Sequence, residues 1–173
     1  YSAYFEGTRI NDSNPKTFKV LGRNFSKDKN NVYYLGKKIT GANSKTFRVL
    51  GFKYAKDKNN IYYSDKKIVG ADSKTFTLLG KSSYSKDKNN VYYEGEKIEN
   101  ADIISFKVLN EDYAKDKNHI YRGSEAIDSS LSGKIKDPET FEFLPNGIIY
   151  GTLYGKDKNR SYEYLTKNEL KWF

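Results

Sequence analysis

Cysteine and methionine are both missing from this chain, and histidine and tryptophan occur once each. Without cysteine there is no disulfide framework, no thiol nucleophile and no cysteine metal site, and oxidation chemistry cannot assign a compartment. A single histidine, His119, leaves too few ligands for a Cys/His zinc site. Cys/His and Ser/His nucleophile machinery has no base beyond that one residue. No apolar run approaches the length of a membrane-spanning helix. No signal peptide is visible, yet the chain opens at Tyr1, in mid-pattern and without methionine. A processed chain or an excised fragment is therefore expected, so the lack of an export signal or lipid anchor in this stretch excludes neither.

What the chain has instead is tyrosine and charge. Aromatic residues make up 16% of it and charged residues 31%, while Leu, Ile and Val are thinly spread. That balance is poor for one thick core and suits thin layers that each bury a few large rings. Disordered chains share the low hydropathy but lack aromatics at fixed intervals. The net charge of +9 permits attraction to acidic polymers or membrane surfaces. The simpler reading is that lysines solvate the sides of a slender fold.

The stretch Tyr54-Ala55-Lys56-Asp57-Lys58-Asn59-Asn60-Ile61-Tyr62-Tyr63 has near-copies around Asp28, Asp87 and Asp116, and a degraded one around Asp157. The first four motif aspartates are separated by 29, 30 and 29 residues. A fixed period in this range marks repeated supersecondary units. Within one repeat, Thr46–Leu50 alternates and reads as a strand, Tyr54–Lys56 as a second and Asn60–Ser64 as a third. Asp57 to Asn60 carries the Asx residues that favour turns and left-handed backbone. A further turn at Ser64-Asp65 leads to a brief strand ending in Ile68. Between repeats, Asn14-Pro15, Asn43-Ser44, Asp72-Ser73 and Asp137-Pro138 pair a capping residue with a compatible first helical residue, so one short helical turn is expected at each. No window has sustained helical spacing.

Phe18, Phe47, Phe76, Phe106 and Phe141 hold one recurring apolar position; Leu21, Leu50, Leu79, Leu109 and Leu144 hold another; Ile10, Ile39, Ile68, Ile98 and Ile127 a third. Tyr4, Tyr33, Tyr62, Tyr92, Tyr121 and Tyr162 recur without exception, whereas the following residue varies. Adjacent strand residues point to opposite faces. The invariant tyrosine is therefore the expected packing ring, and its neighbour (Tyr34, Tyr63 or Tyr93) the exposed one. The last repeat is longer, with a Ser/Gly-rich loop expected near Ser129–Lys134 and a longer or additional hairpin at Pro145-Asn146-Gly147. Leu165, Leu170, Trp172 and Phe173 would then close the chain. The expected division is 1–127, a tandem repeat array, and 128–173, a degenerate last repeat and C-terminal cap.

At the repeated motif the chain resembles the DKNYY family of bacterial proteins, through Lys27-Asp28-Lys29-Asn30 with Val32-Tyr33-Tyr34 and the equivalents at 56–63, 86–93 and 115–122. The last copy keeps Lys156 to Asn159 but has Ser161 and Glu163 in place of the apolar residue and second tyrosine. The resemblance implies an exported or lipid-anchored envelope protein and brings no catalytic residues with it. A weaker similarity links the chain to the aromatic hairpin repeats of choline- and cell-wall-binding modules. Those rely on tryptophan, and Trp172 is alone here.

Other chemical signals are weak. His119 fills a turn position held by Asn31, Asn60 and Asn90. Gly80-Lys81-Ser82 resembles the end of a phosphate loop, but Thr75 stands where the earlier glycine should be. The Asp-x-Asn spacing resembles the start of a calcium loop without its glycine or distant glutamate, and lysines flank every Asp. Those lysines should line up between repeats, making Lys–Asp contacts from layer to layer.

The expected fold is all-β, an elongated array of β-hairpin or three-strand repeats of about 29 residues with short helical turns between them. The expected function is a non-enzymatic binding or structural module of a bacterial cell envelope, periplasmic or surface-exposed. It would present Tyr34, Tyr63, Tyr93, Lys29, Lys58, Lys88 and Lys117 to a protein or glycan. A polyanion binder acting through stacked lysines is the alternative, and a hydrolase with unidentified carboxylates the third. No cofactor, metal or nucleic-acid partner is expected, since no recognised nucleic-acid motif is present.

Overall fold

The computed structural model describes residues 2–127, 135, 137–149, 152–165 and 169–172, with backbone alone at 145–149, 152–153, 163–165 and 169–172. The loop expected near 129–134, Phe173, and the side chains of Leu165, Leu170 and Trp172 lie outside the described residues.

The fold is all-β, and each repeat is a small antiparallel meander. In the repeat around Asp57 the strands are Arg48–Gly51, Tyr54–Lys56, Ile61–Tyr63 and Lys66–Lys67, hydrogen-bonded in sequence order. Equivalent four-stranded sheets span 19–38, 77–97, 107–126 and 142–172, and Tyr4–Phe5 pairs with Thr8–Arg9 in a two-stranded sheet. The brief segment ending at Ile68 is thus a full member of its sheet, so the repeat has four strands rather than three. They fit because most are only two or three residues long.

Three turns join the strands, each with its own chemistry. Phe52 and Lys53, at φ of 45° and 67°, form a two-residue left-handed loop between Gly51 and Tyr54. That backbone matches the strand twist. The Asp57–Asn60 turn is closed by the Asp57 N–H donating to the Asn60 carbonyl at 3.0 Å. The third turn is Ser64-Asp65 here and Glu94-Gly95 in the next repeat, where a Cβ on Gly95 would lie 2.6 Å from Cβ of Tyr63, so glycine lets that turn approach the Tyr63 side chain. At the linkers a single hydrogen-bonded turn runs from the Thr17 N–H to the Asn14 carbonyl, from Thr46 to Asn43 and from Thr75 to Asp72, and helical geometry is reached at one of the four expected places. That one, Pro138–Thr140, is a 3₁₀ turn capped by the Asp137 side chain. In the last repeat, Glu142–Ile149 is longer than its counterparts and pairs with Thr152–Lys156 across a register shift between Phe143 and Ile148. The expected longer hairpin is therefore a bulged one.

The chain divides into two compact units, residues 1–78 with 85–89 and 94–96, and residues 79–84 and 90–93 with 97–173. In the first, Phe25, Val32, Tyr34 and Ile39 of one sheet pack with Phe47, Ala55 and Tyr62 of the next repeat. Phe47 lies between them, with ring centroids 5.6 Å from Phe25 and 5.6 Å from Tyr62. The second unit repeats this arrangement. Phe106 lies 5.7 Å from Tyr84 and 5.5 Å from Tyr121, and a further cluster joins Tyr113, Ile120, Ile127, Ile135, Phe141 and Tyr162.

Opposite each packed tyrosine the neighbouring strand carries a small residue: Ser26, Ala55, Ala114 or Gly155. The reason is steric. A Cβ at Gly155 would meet the Phe141 ring at 2.2 Å. Ser85 holds the corresponding position in its own repeat, fully buried, with no hydrogen-bond partner for its hydroxyl. Ser85→Ala, which copies Ala55 and Ala114, is expected to raise unfolding stability by about 1 kcal/mol by removing that uncompensated polar group. Gly155→Ala should lower it by about 1–3 kcal/mol through overpacking. Urea denaturation of the two variants checks both signs.

Candidate functional site

The motif aspartate is buried in every repeat, with 1% to 7% of its surface exposed. Its carboxylate gathers four donors. One oxygen of Asp57 accepts the N–H groups of Asn59 and Asn60 within its own turn, both at 2.8 Å. The other accepts the backbone N–H of Asn43 in the preceding linker at 3.0 Å and the Tyr62 hydroxyl at 2.8 Å. Asp28, Asp116 and Asp157 repeat the set, with Asn14, Asp102 and Asp137 as linker donors and Tyr33, Tyr121 and Tyr162 as hydroxyl donors. A linker hydroxyl completes the joint, since Thr46 accepts from the Lys58 N–H at 3.1 Å and Ser105 from Lys117 N–H at 3.0 Å. The turn reading of the motif is therefore correct, and it extends to the linker.

Burial pushes the Asp28, Asp57 and Asp157 carboxyls up, but the N–H and O–H donors outweigh it and hold all three below the usual carboxylate range. A general acid needs the opposite shift. The tyrosines respond in kind: burial, reinforced by the Asp28 charge, raises the Tyr33 phenol to about 12.

The two lysines that flank each Asp do different work. At Asp28, Asp57 and Asp116 the one before it reaches into the following linker, whereas Lys156 before Asp157 pairs with Glu142 at 3.0 Å. Lys27 Nζ donates to the Ser44 carbonyl at 2.8 Å, Lys56 to the Ser73 carbonyl, and Lys115 to the Glu139 carbonyl at 2.7 Å. The one after it meets the linker of its own repeat. Where that linker begins with aspartate an ion pair forms: Lys88–Asp72 at 3.1 Å, Lys117–Asp102 at 2.9 Å and Lys158–Asp137 at 2.6 Å. These pairs replace the expected layer-to-layer contacts with the motif Asp, whose oxygens are already taken. Where the linker begins with Asn14 or Asn43, Lys29 and Lys58 are exposed and without an ion pair among the described residues.

The second tyrosine is not the open surface that strand alternation implied. Tyr34 is 7% exposed and packs on Phe25 with ring centroids 4.9 Å apart. Tyr63 and Tyr93 are half-buried, lying 4.9 Å from Tyr54 and 4.7 Å from Tyr84, and their hydroxyls donate to Glu94 at 2.8 Å and Asp112 at 3.3 Å. Both faces of the strand are covered by neighbouring repeats, so period-two alternation separates two interiors rather than inside from outside. The invariant tyrosines are packed as expected, Tyr33 and Tyr121 fully so, with terminal Tyr4 the exception at 62% exposed.

Of the predicted contact residues, Lys29 lines a cleft of about 440 Å³ with Lys16, Lys19, Lys27 and Lys45 around Asp28. The sequence reading missed Lys16, Lys19 and Lys45, of which Lys16 and Lys45 lie two residues after the linker capping residue and Lys19 opens the first strand. In the second unit the equivalent cleft, about 190 Å³, holds Lys107 and Lys115 but has Glu139 where Lys45 stands in the first. His119 is half-buried in its turn, and its backbone N–H donates to Asp116 at 2.7 Å.

Asp57→Ala would strand three N–H groups and a phenol, and is expected to cost about 3 kcal/mol or more. Tyr62→Phe removes one charge-assisted bond and should cost about 1.5–3 kcal/mol. The lowered aspartate pKa values stabilise the fold above the unfolded carboxylate pKa, about 3.9, and that contribution is lost as pH falls through the lower folded values. For Tyr33 the sign reverses: its contribution is complete below the unfolded phenol pKa, about 10, and disappears as pH rises through about 12. Chemical denaturation across pH, with phenolate absorbance on the alkaline side, checks both limbs.

No curated protein and no solved structure matches the chain. The DKNYY family profile matches residues 1–125, which carry the motif copies around Asp28, Asp57, Asp87 and Asp116. The expected resemblance is thus met over most of the sequence, and the chain belongs to the DKNYY family.

Proposed function

We propose that this protein is a non-enzymatic binding module of a bacterial cell envelope that holds an anionic envelope polymer against its repeat junctions. The observation that carries the reading is the cleft in which Lys16, Lys19, Lys27, Lys29 and Lys45 surround a single carboxylate, Asp28, whose charge is already shared among four donors. Several lysines clustered around one cleft attract a polyanion without any reorganisation of the fold. The non-enzymatic assignment draws support from the motif carboxylates, which are fully hydrogen-bonded and, at Asp28, Asp57 and Asp157, held ionised. The envelope assignment draws on the family resemblance.

The geometry favours lysine over tyrosine as the contact, because the second tyrosines are engaged in packing. Lys29→Glu with Lys58→Glu is therefore expected to abolish retention on a polyanion matrix. Tyr63→Ala with Tyr93→Ala should retain it, apart from a loss of fold stability. Affinity should fall steeply as salt rises, since lysine–anion contacts release counterions. Retention that persists at high salt, or is lost only with the tyrosines, would restore a Tyr-based glycan surface.

A further inference from the structure

The repeats differ at one position that bears on this site. The residue that opens each linker is Asn14, Asn43, Asp72, Asp102 or Asp137. Its backbone role is the same in all five, since each donates its N–H to the motif aspartate. The side-chain oxygen role is also shared: Asn14 accepts from Lys16 N–H at 3.1 Å, Asn43 from Lys45 N–H at 3.0 Å and Asp72 from Lys74 N–H at 2.8 Å. Building the joint does not distinguish asparagine from aspartate. What distinguishes them is the lysine that follows the motif Asp.

With aspartate, that lysine is held in an internal ion pair. In the second unit the Ser105 hydroxyl, followed by the Lys117 ammonium, draws the Asp102 carboxyl well below the usual range, and Asp102 in turn raises Lys117. With asparagine, Lys29 and Lys58 keep an uncompensated charge at the mouth of the junction. We propose that the residue opening each linker selects which junctions bind an anion. The Asn14 and Asn43 junctions are open sites for phosphate-bearing polymer, and the Asp72, Asp102 and Asp137 junctions are closed by their own carboxylates. This rests on the anionic-polymer reading above and adds to it which junctions act and which anionic group they take.

Phosphate is the favoured group because the cleft around Asp28 is lined by lysines and no arginine, and the equivalent positions at the Asn43 junction are lysines but for Arg48. Arginine's planar fork matches a carboxylate, whereas several separate ammonium groups suit the distributed oxygens of a phosphate. Lys16, Lys19, Lys29 and Lys45 are all exposed and come from the linker, the first strand, the motif turn and the next linker. They can therefore meet one phosphate, or successive phosphates of a chain, from different directions.

The test is titration of the whole chain at low salt with long-chain inorganic polyphosphate, and with polyglutamate of similar length as the carboxylate comparison. Asn14→Asp with Asn43→Asp should weaken polyphosphate binding at least about tenfold, with the far-ultraviolet spectrum and denaturation midpoint unchanged. Val20→Asp with Val69→Asp, at side chains 78% and 87% exposed, changes net charge equally and should weaken it by no more than about threefold. Asp72→Asn with Asp102→Asn and Asp137→Asn should strengthen it. If both aspartate pairs weaken binding alike, net charge and not the junction sets affinity, and the proposed selection is wrong while the polyanion reading stands. Equal or tighter binding of polyglutamate overturns the phosphate assignment. Failure of the unaltered chain to bind either polymer overturns the anionic-polymer reading itself.

Discussion

The fold depends on a carboxylate placed inside each repeat. Taking a carboxylate out of water costs several kcal/mol unless donors replace its hydration. Here the donors come from three places, namely the motif turn, the linker before it and the tyrosine five residues on. One side chain thereby fixes a turn, sets where the linker enters and orients the largest ring of the layer. The chemistry also explains why the position is aspartate. Asparagine would offer two N–H donors of its own where Asp57 accepts from Asn43 and Tyr62, and glutamate is one methylene too long for the tight Asx turn.

That polar joint compensates for what the layers lack. A repeat of four short strands buries few aliphatic residues, and there is no disulfide to hold it. Each layer relies instead on one Phe between two aromatic partners, as with Phe47 between Phe25 and Tyr62. Aromatic pairs at this separation add about 0.5–1.5 kcal/mol beyond area burial. Small residues opposite the tyrosine give the Phe its room. The lysine before the motif Asp then reaches the next linker's carbonyls, so one repeat is joined to the next by polar as well as apolar contacts. In the sheets around Asp28 and Asp57 one edge strand is only two residues long and carries Lys37-Lys38 or Lys66-Lys67, all exposed. Charges on short edges discourage pairing with another sheet, which gives part of the basic excess a purely structural purpose.

Much of this was legible in the sequence. The period, the Asx turn, the packed tyrosine, the linker turns and the lengthened last hairpin all follow from residue type at fixed spacing. The exposure of Tyr34 and its equivalents did not, because alternation identifies opposite faces without telling whether each is wet. A covered second face has an indirect signature in the small residue opposite the invariant tyrosine, at Ser26, Ala55 and Ala114. The lysine before the motif Asp was unreadable for another reason: it binds backbone carbonyls, which every residue possesses, so its partner leaves no trace in the side-chain pattern. The lysine after it was readable in principle. Its ion pairs follow the change from Asn14 and Asn43 to Asp72, Asp102 and Asp137.

This division between shared and changing positions bears on where function resides. Residues identical in every repeat are those the joint consumes, and a ligand that needed them would have to dismantle the fold. A repeat architecture instead keeps its frame and changes the side chains the frame presents. The position held by Lys16, Lys45 and Lys74 becomes Ile104 and then Glu139, and that of Lys19 becomes Arg48, Thr77, Lys107 and Glu142. The linker opening changes from asparagine to aspartate over the same span. At these three positions the first two repeats carry two cations each, the next two one cation and one aspartate, and the last three carboxylates, while the carboxylate joint stays the same. The first two junctions are therefore the most basic and the last the most acidic, so a frame held constant by the joint carries a graded charge along the chain.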